Sequence, residues 1–257
     1  MPASRTPPAP SARSPSPTSP GRKIVTPTPS PTKRWTVGLD VTLCMKIFFI
    51  RHGETTGDVE NRYGGNYDDH LSEKGVEQSK RLAEALKGRG IEVLFSSPLL
   101  RAQETAQTVA QQANCMVVTE AGLRERNQYG KLTGMKKDEA KEKYPEQVEL
   151  LKDRLNTIEG AESYTDFSTR IADAFKRLTS GPEHKVIGIV SHGGPLRVLF
   201  RDILKWGELK EIGDCSFVEL QKQGDTFSWV DSRGLVPEFQ VPDVDALSNA
   251  AMDRGTS

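Results

Sequence analysis

From Met45 to about Val230, short apolar runs alternate with stretches whose apolar residues recur at helical spacing. That alternation predicts an α/β fold in which a parallel sheet is covered by helices. Strands are predicted at Ile47–Ile50, Val93–Phe95, Met116–Thr119 and Val186–Val190. A helix capped by Ser72 would turn Val76, Leu82, Ala83 and Leu86 inward. One capped by Ser97, with Pro98 at its first position, would bury Leu99, Ala102, Ala106 and Val109. A third starts near Ser163 and carries Tyr164, Phe167, Ile171, Phe175 and Leu178 on one side. A fourth starts at Pro195 and continues through Leu196–Leu204. Cys215–Leu220 and Phe227–Val230, joined around Gly224-Asp225, predict a closing hairpin. Lys136–Leu155 is charged and helix-prone with few strongly apolar positions, so it reads as a surface subdomain. No internal repeat is evident.

The ends break the pattern. Ten of the sixteen prolines lie between Pro2 and Pro31, among Ser, Thr and Ala. Such a segment lacks backbone donors and has little apolar surface to offset ordering entropy, so residues 1–44 are expected to be a disordered basic tail. An organellar transit peptide would share its acid-free, Ser-rich composition, but the proline density spoils an amphipathic helix. The simpler expectation takes Met45 as the natural start, because Met45-Lys46-Ile47-Phe48-Phe49-Ile50 opens directly into a strand. The globular domain is then 45–232, followed by a loose polar tail over 233–257.

Composition narrows the class. The 257 residues hold 35 basic and 35 acidic side chains, but the six basic residues before Leu39 and Asp40 have no acidic neighbour, so the rest of the chain is net acidic. A body of that charge has no long-range attraction for nucleic acid, and an anionic ligand needs cations gathered at its site. No apolar run approaches a bilayer span or a secretory signal, so no membrane partner is expected. Cys44, Cys115 and Cys215 are odd in number and lack zinc-type spacing, which points to a reducing, cytoplasmic setting without structural metal. Oligomeric state is not legible.

The candidate chemistry is positional. Arg51-His52-Gly53-Glu54 follows the first strand and Ser191-His192-Gly193-Gly194-Pro195 follows Val186–Val190. In open parallel sheets, ligands bind outside the carboxyl ends of strands, so both histidines fall at one rim if the strands are neighbours. Glycine after each histidine lets backbone approach a ligand, and the helix starting at Pro195 offers N–H groups to an anion. Arg101, early in its helix, would reach the same rim, where Arg51 and Arg101 can give paired donors to phosphate oxygens. His70 and His184 read as surface residues.

Arg51-His52-Gly53-Glu54-Thr55, Ser96-Ser97-Pro98-Leu99-Leu100-Arg101-Ala102, Leu123-Arg124-Glu125 and Ser191-His192-Gly193-Gly194, in that order, resemble the histidine phosphatase superfamily, which includes cofactor-dependent phosphoglycerate mutases. The resemblance implies a three-layer α/β/α sandwich with a mostly parallel central sheet and a small helical insertion. It implies phosphoryl transfer through a phosphohistidine on His52, with Arg51, Arg101 and His192 holding the phosphoryl oxygens and Glu125 giving a proton to the leaving oxygen. Asp58, Gly64, Gly65, Tyr129 and Gly193 are the further substrate contacts it suggests, with no metal and no cofactor.

Both branches of the family leave traces. Glu60-Asn61-Arg62-Tyr63, Gly65, Tyr67-Asp68 and Tyr129-Gly130-Lys131-Leu132-Thr133-Gly134 resemble the mutases, which would need a bisphosphoglycerate primer. Against that, Asp58 stands where the mutases have asparagine, Lys152-Asp153 where they have paired arginines, and Gly193-Gly194 where they have Gly-Asn. Glu159-Gly160-Ala161-Glu162-Ser163-Tyr164 resembles the phosphatases. A mutase must retain its intermediate and exclude water, so the expectation is a metal-independent phosphatase acting on a small phosphorylated metabolite. A mutase is the alternative, and a non-catalytic phospholigand-binding module a second one.

Overall fold

The structure is a computed structural model, and it describes residues 44–181 and 183–242. The expected tail over 1–44 lies outside the described residues except for Cys44, as do residues 243–257. The chain runs β1 (Cys44–Arg51), α1 (Thr56–Val59), α2 (Glu73–Leu86), β2 (Val93–Ser96), α3 (Leu100–Ala113), β3 (Met116–Thr119), α4 (Lys137–Lys143) and α5 (Pro145–Leu150). It continues with α6 (Tyr164–Thr179), β4 (Val186–Ser191), α7 (Gly193–Val198), β5 (Leu209–Gln223) and β6 (Thr226–Pro237). The six strands form one sheet in the order β3-β2-β4-β1-β5-β6. β1 to β4 run parallel, whereas β5 is antiparallel to both of its neighbours, so the sheet is mixed.

Alternation along β1 builds both cores. Ile47 and Phe49 face one layer with Ala174 and Phe175 of α6 and Leu196 of α7. Phe48 and Ile50 face the other with Leu82 and Leu86 of α2 and Ala102, Ala106 and Val109 of α3. All four β1 residues are fully buried, as a strand covered on both sides must be. Side-chain burial of that kind contributes roughly 1.5–3 kcal/mol per residue.

Local chemistry departs from the expected pattern in several places. Ser72 does cap α2, accepting from Gly75 N–H, but Val76 is exposed and Gly75 takes the inward position. A Cβ on Gly75 would stand 2.0 Å from the Glu54 carbonyl oxygen, so the closeness of α2 to the β1 loop requires glycine there. Ser97 is not the cap of α3. That helix begins at Leu100, whose N–H donates to the Asp68 carboxylate from a distant loop at 2.7 Å. The fourth helix is α7 for six residues and then widens to a π-turn over Leu199–Ile203, closed by Leu204 N–H on the Leu199 carbonyl. The boundary expected at 232 falls inside β6, which runs to Pro237. Beyond it Phe239 packs on Phe200, Trp206 and Trp229, so 233–242 belongs to the core fold. The insertion carrying α4 and α5 has a small core of its own around Leu132, Ala140 and Ile158. No helix among the described residues is long and apolar enough to cross a membrane.

Candidate active site

Parallel pairing sets the two histidine loops side by side. β1 and β4 are neighbours with Arg51 opposite Ser191, so His52 and His192 leave the sheet together, and His52 N–H donates to the Ser191 carbonyl at 3.1 Å. Their rings meet edge to face with centroids 5.0 Å apart, and both are buried.

The His52 ring has a fixed tautomer. Its Nδ1 lies 2.7 Å from the Gly53 carbonyl oxygen, which can only accept, so Nδ1 holds the proton and Nε2 is unprotonated. Arg101 Nε–H donates to that nitrogen at 3.2 Å. Burial holds the His52 pKa well below 6.5, with the charges of Arg101 and Arg51 pushing the same way and the Gly53 carbonyl opposing them. His192 is held neutral by burial and then by Arg101, His52 and Arg51. Its Nε2 is 2.7 Å from Ser97 Oγ, which also accepts from Leu99 N–H, and its Nδ1 is buried without a partner. Each charged imidazole would be disfavoured here by two guanidiniums, whereas a bound phosphate dianion reverses that field.

Arg101 is held by four contacts: Nε on His52, Nη1 on Asp69 at 2.8 Å and on the Tyr67 carbonyl, and Nη2 on the Gly65 carbonyl. Asp69, as buried as Arg101 itself, was not singled out by sequence, although the acidic run Asp68-Asp69 before the helix was a usable signal. Arg51 is anchored by Nη1 to the Ile212 carbonyl and Asp214, while its Nε is buried and unpartnered.

Glu125 reaches the site because Ser191 Oγ–H bonds to the Leu123 carbonyl and Arg170 bonds to the Gly122 and Arg124 carbonyls, pinning the loop against β4. Burial raises the Glu125 pKa, against N–H donors from Gly194 and Arg126 and the charges of Arg101 and Arg51. The start of α7 therefore gives Gly194 N–H to Glu125 rather than leaving it for an anion. A Cβ on Gly194 would stand 2.1 Å from Glu125 Oε1 and 3.1 Å from Phe167. Gly194→Ala is thus expected to push the carboxylate out of place and lower kcat by on the order of tenfold to hundredfold. Steady-state kinetics, with thermal unfolding as the folding control, checks this.

The remaining expected contacts divide. Gly65 has φ +56 and packs on the Tyr129 ring, which stacks on Tyr63 with centroids 4.7 Å apart, so both lie beside the Arg101 carbonyl cradle. Gly64 faces open space, and a Cβ on Gly193 would be 4.0 Å from Arg51 Nε. Asp58 does not join them: its carboxylate turns back to Thr55 N–H and Oγ1–H, closing the capping box of α1. A short polar side chain three residues after Thr55 satisfies the orphan donors of that helix start, and this fixes its direction. His70 is exposed as expected, yet it pairs with Glu104 at 2.5 Å.

An unprotonated imidazole nitrogen beside a second imidazole and two guanidiniums, at the carboxyl ends of parallel strands, suits an α/β enzyme that binds phosphate esters. A family model described as the histidine phosphatase superfamily (branch 1) matches residues 47–232, and the chain belongs to that superfamily. It is 33% identical over 160 residues to a metal-independent phosphoserine phosphatase of Arabidopsis thaliana, covering 60% of this chain and 67% of that one. It is 28% identical over 217 residues to a probable phosphoglycerate mutase of Escherichia coli, covering 79% and 99%. The solved structure of a mycobacterial glucosyl-3-phosphoglycerate phosphatase with VO3 superposes with a TM-score of 0.63 at 26% identity, covering 72% of this chain and 96% of that one. The protein is an enzyme, a phosphomonoester hydrolase of the histidine phosphatase superfamily.

Proposed function

We propose that this enzyme hydrolyses a small phosphorylated metabolite without a metal ion, through a phosphohistidine at Nε2 of His52. The observation that carries the reading is the His52 tautomer: Nδ1–H is committed to the Gly53 carbonyl, so the nucleophilic lone pair exists without prior deprotonation. In the first step the Nε2–P bond forms and the ester P–O bond breaks, and the leaving oxygen takes the proton from the Glu125 carboxyl. In the second, water loses a proton to the Glu125 carboxylate and attacks phosphorus. The P–N bond breaks, its electron pair returns to Nε2 and phosphate leaves.

Arg51, Arg101 and His192 supply donors to the equatorial oxygens, which is most of what phosphoryl transfer asks of a protein. The raised pKa of Glu125 supports its first role, since an ordinary carboxyl is almost wholly ionised at neutral pH. Hydrolysis rather than mutase chemistry is supported by Lys152, which is exposed and paired with Glu149, and by Asp153, which accepts from Leu155 N–H. Neither offers a free cation for a second phosphate. Asp58 adds nothing to that argument, because its charge is held within the α1 cap. All three cysteines are free, which supports a reducing, cytoplasmic setting.

Rapid quench with a labelled phosphate monoester tests the reading. An acid-labile, base-stable phosphoenzyme that decays to free phosphate in excess chelator is expected. If labelled 3-phosphoglycerate gives its isomer faster than free phosphate, the mutase alternative wins. Glu125→Gln should lower kcat/KM, which reads the first step, by roughly 10²-fold or more for alkyl phosphates but much less for aryl phosphates, since a good leaving group needs no proton there. In the wild type, kcat/KM for alkyl phosphates should fall as pH rises through the raised Glu125 pKa. A pH–rate profile comparing the two substrate types reads both effects.

A further inference from the structure

Behind the Arg51–His52 segment, β5 leaves its regular pairing with β6: Ile212 faces Leu235 and Phe217 faces Arg233, with the intervening residues bulged outward. Within this bulge Cys215 takes φ +51, a left-handed conformation that costs a non-glycine residue energy. Bulges of this kind re-aim side chains and are common beside active sites. Here the bulge makes three contacts with the nucleophile segment. The Ile212 carbonyl accepts from Arg51 Nη1 at 2.6 Å, Asp214 Oδ1 pairs with the same nitrogen at 3.3 Å, and Cys215 N–H donates to the His52 carbonyl at 3.1 Å. The other Asp214 oxygen accepts from Gln78 Nε2 at 3.3 Å, and Gln78 Oε1 accepts from Glu54 N–H at 2.8 Å. Arg51 and Glu54, the two ends of the histidine loop, are thereby joined through Asp214 and Gln78.

All of these Arg51 contacts use Nη1. Its Nε is buried, has no partner and lies on the side of the His192–Gly193 turn. A guanidinium clamped at one end has its remaining N–H groups fixed in direction, because the group is planar. We propose that Asp214, braced by Gln78, is a positioning residue that aims the Nε edge of Arg51 at the phosphoryl group. The role rests on the phosphatase reading of the site, in which Arg51 holds phosphoryl oxygens. No element of the sequence pattern marks Asp214, since the bulge that delivers it has no hydrophobic signature.

The test uses the full chain with Asp214→Ala, Asp214→Asn, Gln78→Ala, Arg51→Lys and Arg51→Ala. It measures the inhibition constant of orthovanadate, kcat and KM for an aryl phosphate, and the thermal unfolding midpoint. Asp214→Ala should weaken vanadate and lower kcat/KM by about tenfold or more at an unchanged unfolding midpoint, with Asp214→Asn partly restored because its amide oxygen still accepts. Combined with Arg51→Lys it should add little, because both changes act through one guanidinium. Vanadate affinity within about twofold of wild type in both Asp214 variants, or full additivity with Arg51→Lys, overturns the proposal. If Asp214→Ala does not fold, Gln78→Ala and the isosteric Asp214→Asn carry the same comparison. Unchanged vanadate affinity in Arg51→Ala would instead overturn the phosphatase reading of the site.

Discussion

His52→Ala is expected to lower kcat by on the order of 10⁴-fold or more while the protein stays folded. The substitution removes the imidazole whose Nε2 its tautomer leaves unprotonated. His192 is not expected to take over, because its ring centroid lies 5.0 Å from that of His52. Folding should survive, since the His52 ring makes a single bond to a neighbouring carbonyl and one to Arg101, whose other three contacts remain. Single-turnover assays on an aryl phosphate in excess chelator, beside a thermal unfolding curve, decide the matter. Turnover within about tenfold of wild type would remove His52 from the reaction and with it the phosphohistidine route. His192→Ala should cost less, roughly 10²–10³-fold, because on the proposed mechanism it removes a transition-state donor and leaves the covalent step available.

Arg101→Ala should damage both the chemistry and the fold, and the two effects can be separated. If Arg101 holds the phosphoryl oxygens as proposed, loss of that preorganised donor should lower kcat by roughly 10²–10³-fold. Its carboxylate partner Asp69 is then left buried with Gly57 N–H as its remaining bond, and breaking a buried pair from one side costs about 3–5 kcal/mol. Urea unfolding should register that loss. Pairing Arg101→Met with Asp69→Leu should recover much of the stability, because the uncompensated charge is gone, and none of the activity. Equal recovery of both would mean that Arg101 serves only to hold Asp69. Asp69→Asn should fall between, with Arg101 still present but its Nη1 end loosened.

Much of the fold was legible because burial on both faces of a sheet leaves a continuous apolar run. Ile47–Ile50 and Val186–Val190 needed no tertiary information to read as strands, and all of these residues except the half-buried Val186 are buried as such runs require. The hairpin was legible in its centre, but its length was not: β5 begins at Leu209 because backbone pairing with β6 extends the strand through residues without an apolar pattern. Val76 misled for the opposite reason. An apolar side chain at helical spacing competes with a glycine whose value lies in what it lacks, and no hydrophobic count records that.

The site divides in the same way. Arg51, His52, Arg101 and His192 lie at strand ends or in a helix's first turn, where residue type and local position fix their direction, and the tertiary structure brings them together. Asp58 was misplaced because a carboxylate three residues from a threonine can cap a helix or face a ligand, and sequence does not choose between them.

By itself the sequence determined the strands, the helices that cover them, the two histidine loops and the chemistry those loops could perform, because local periodicity and residue type are written residue by residue. Only the tertiary structure decided that Arg101 donates to Nε2 of His52, that Asp69 and Asp214 brace the two arginines, and that Gly194 makes room for Glu125. Those facts depend on contacts between segments far apart in the chain, and their distances and directions exist only once the sheet has set its order.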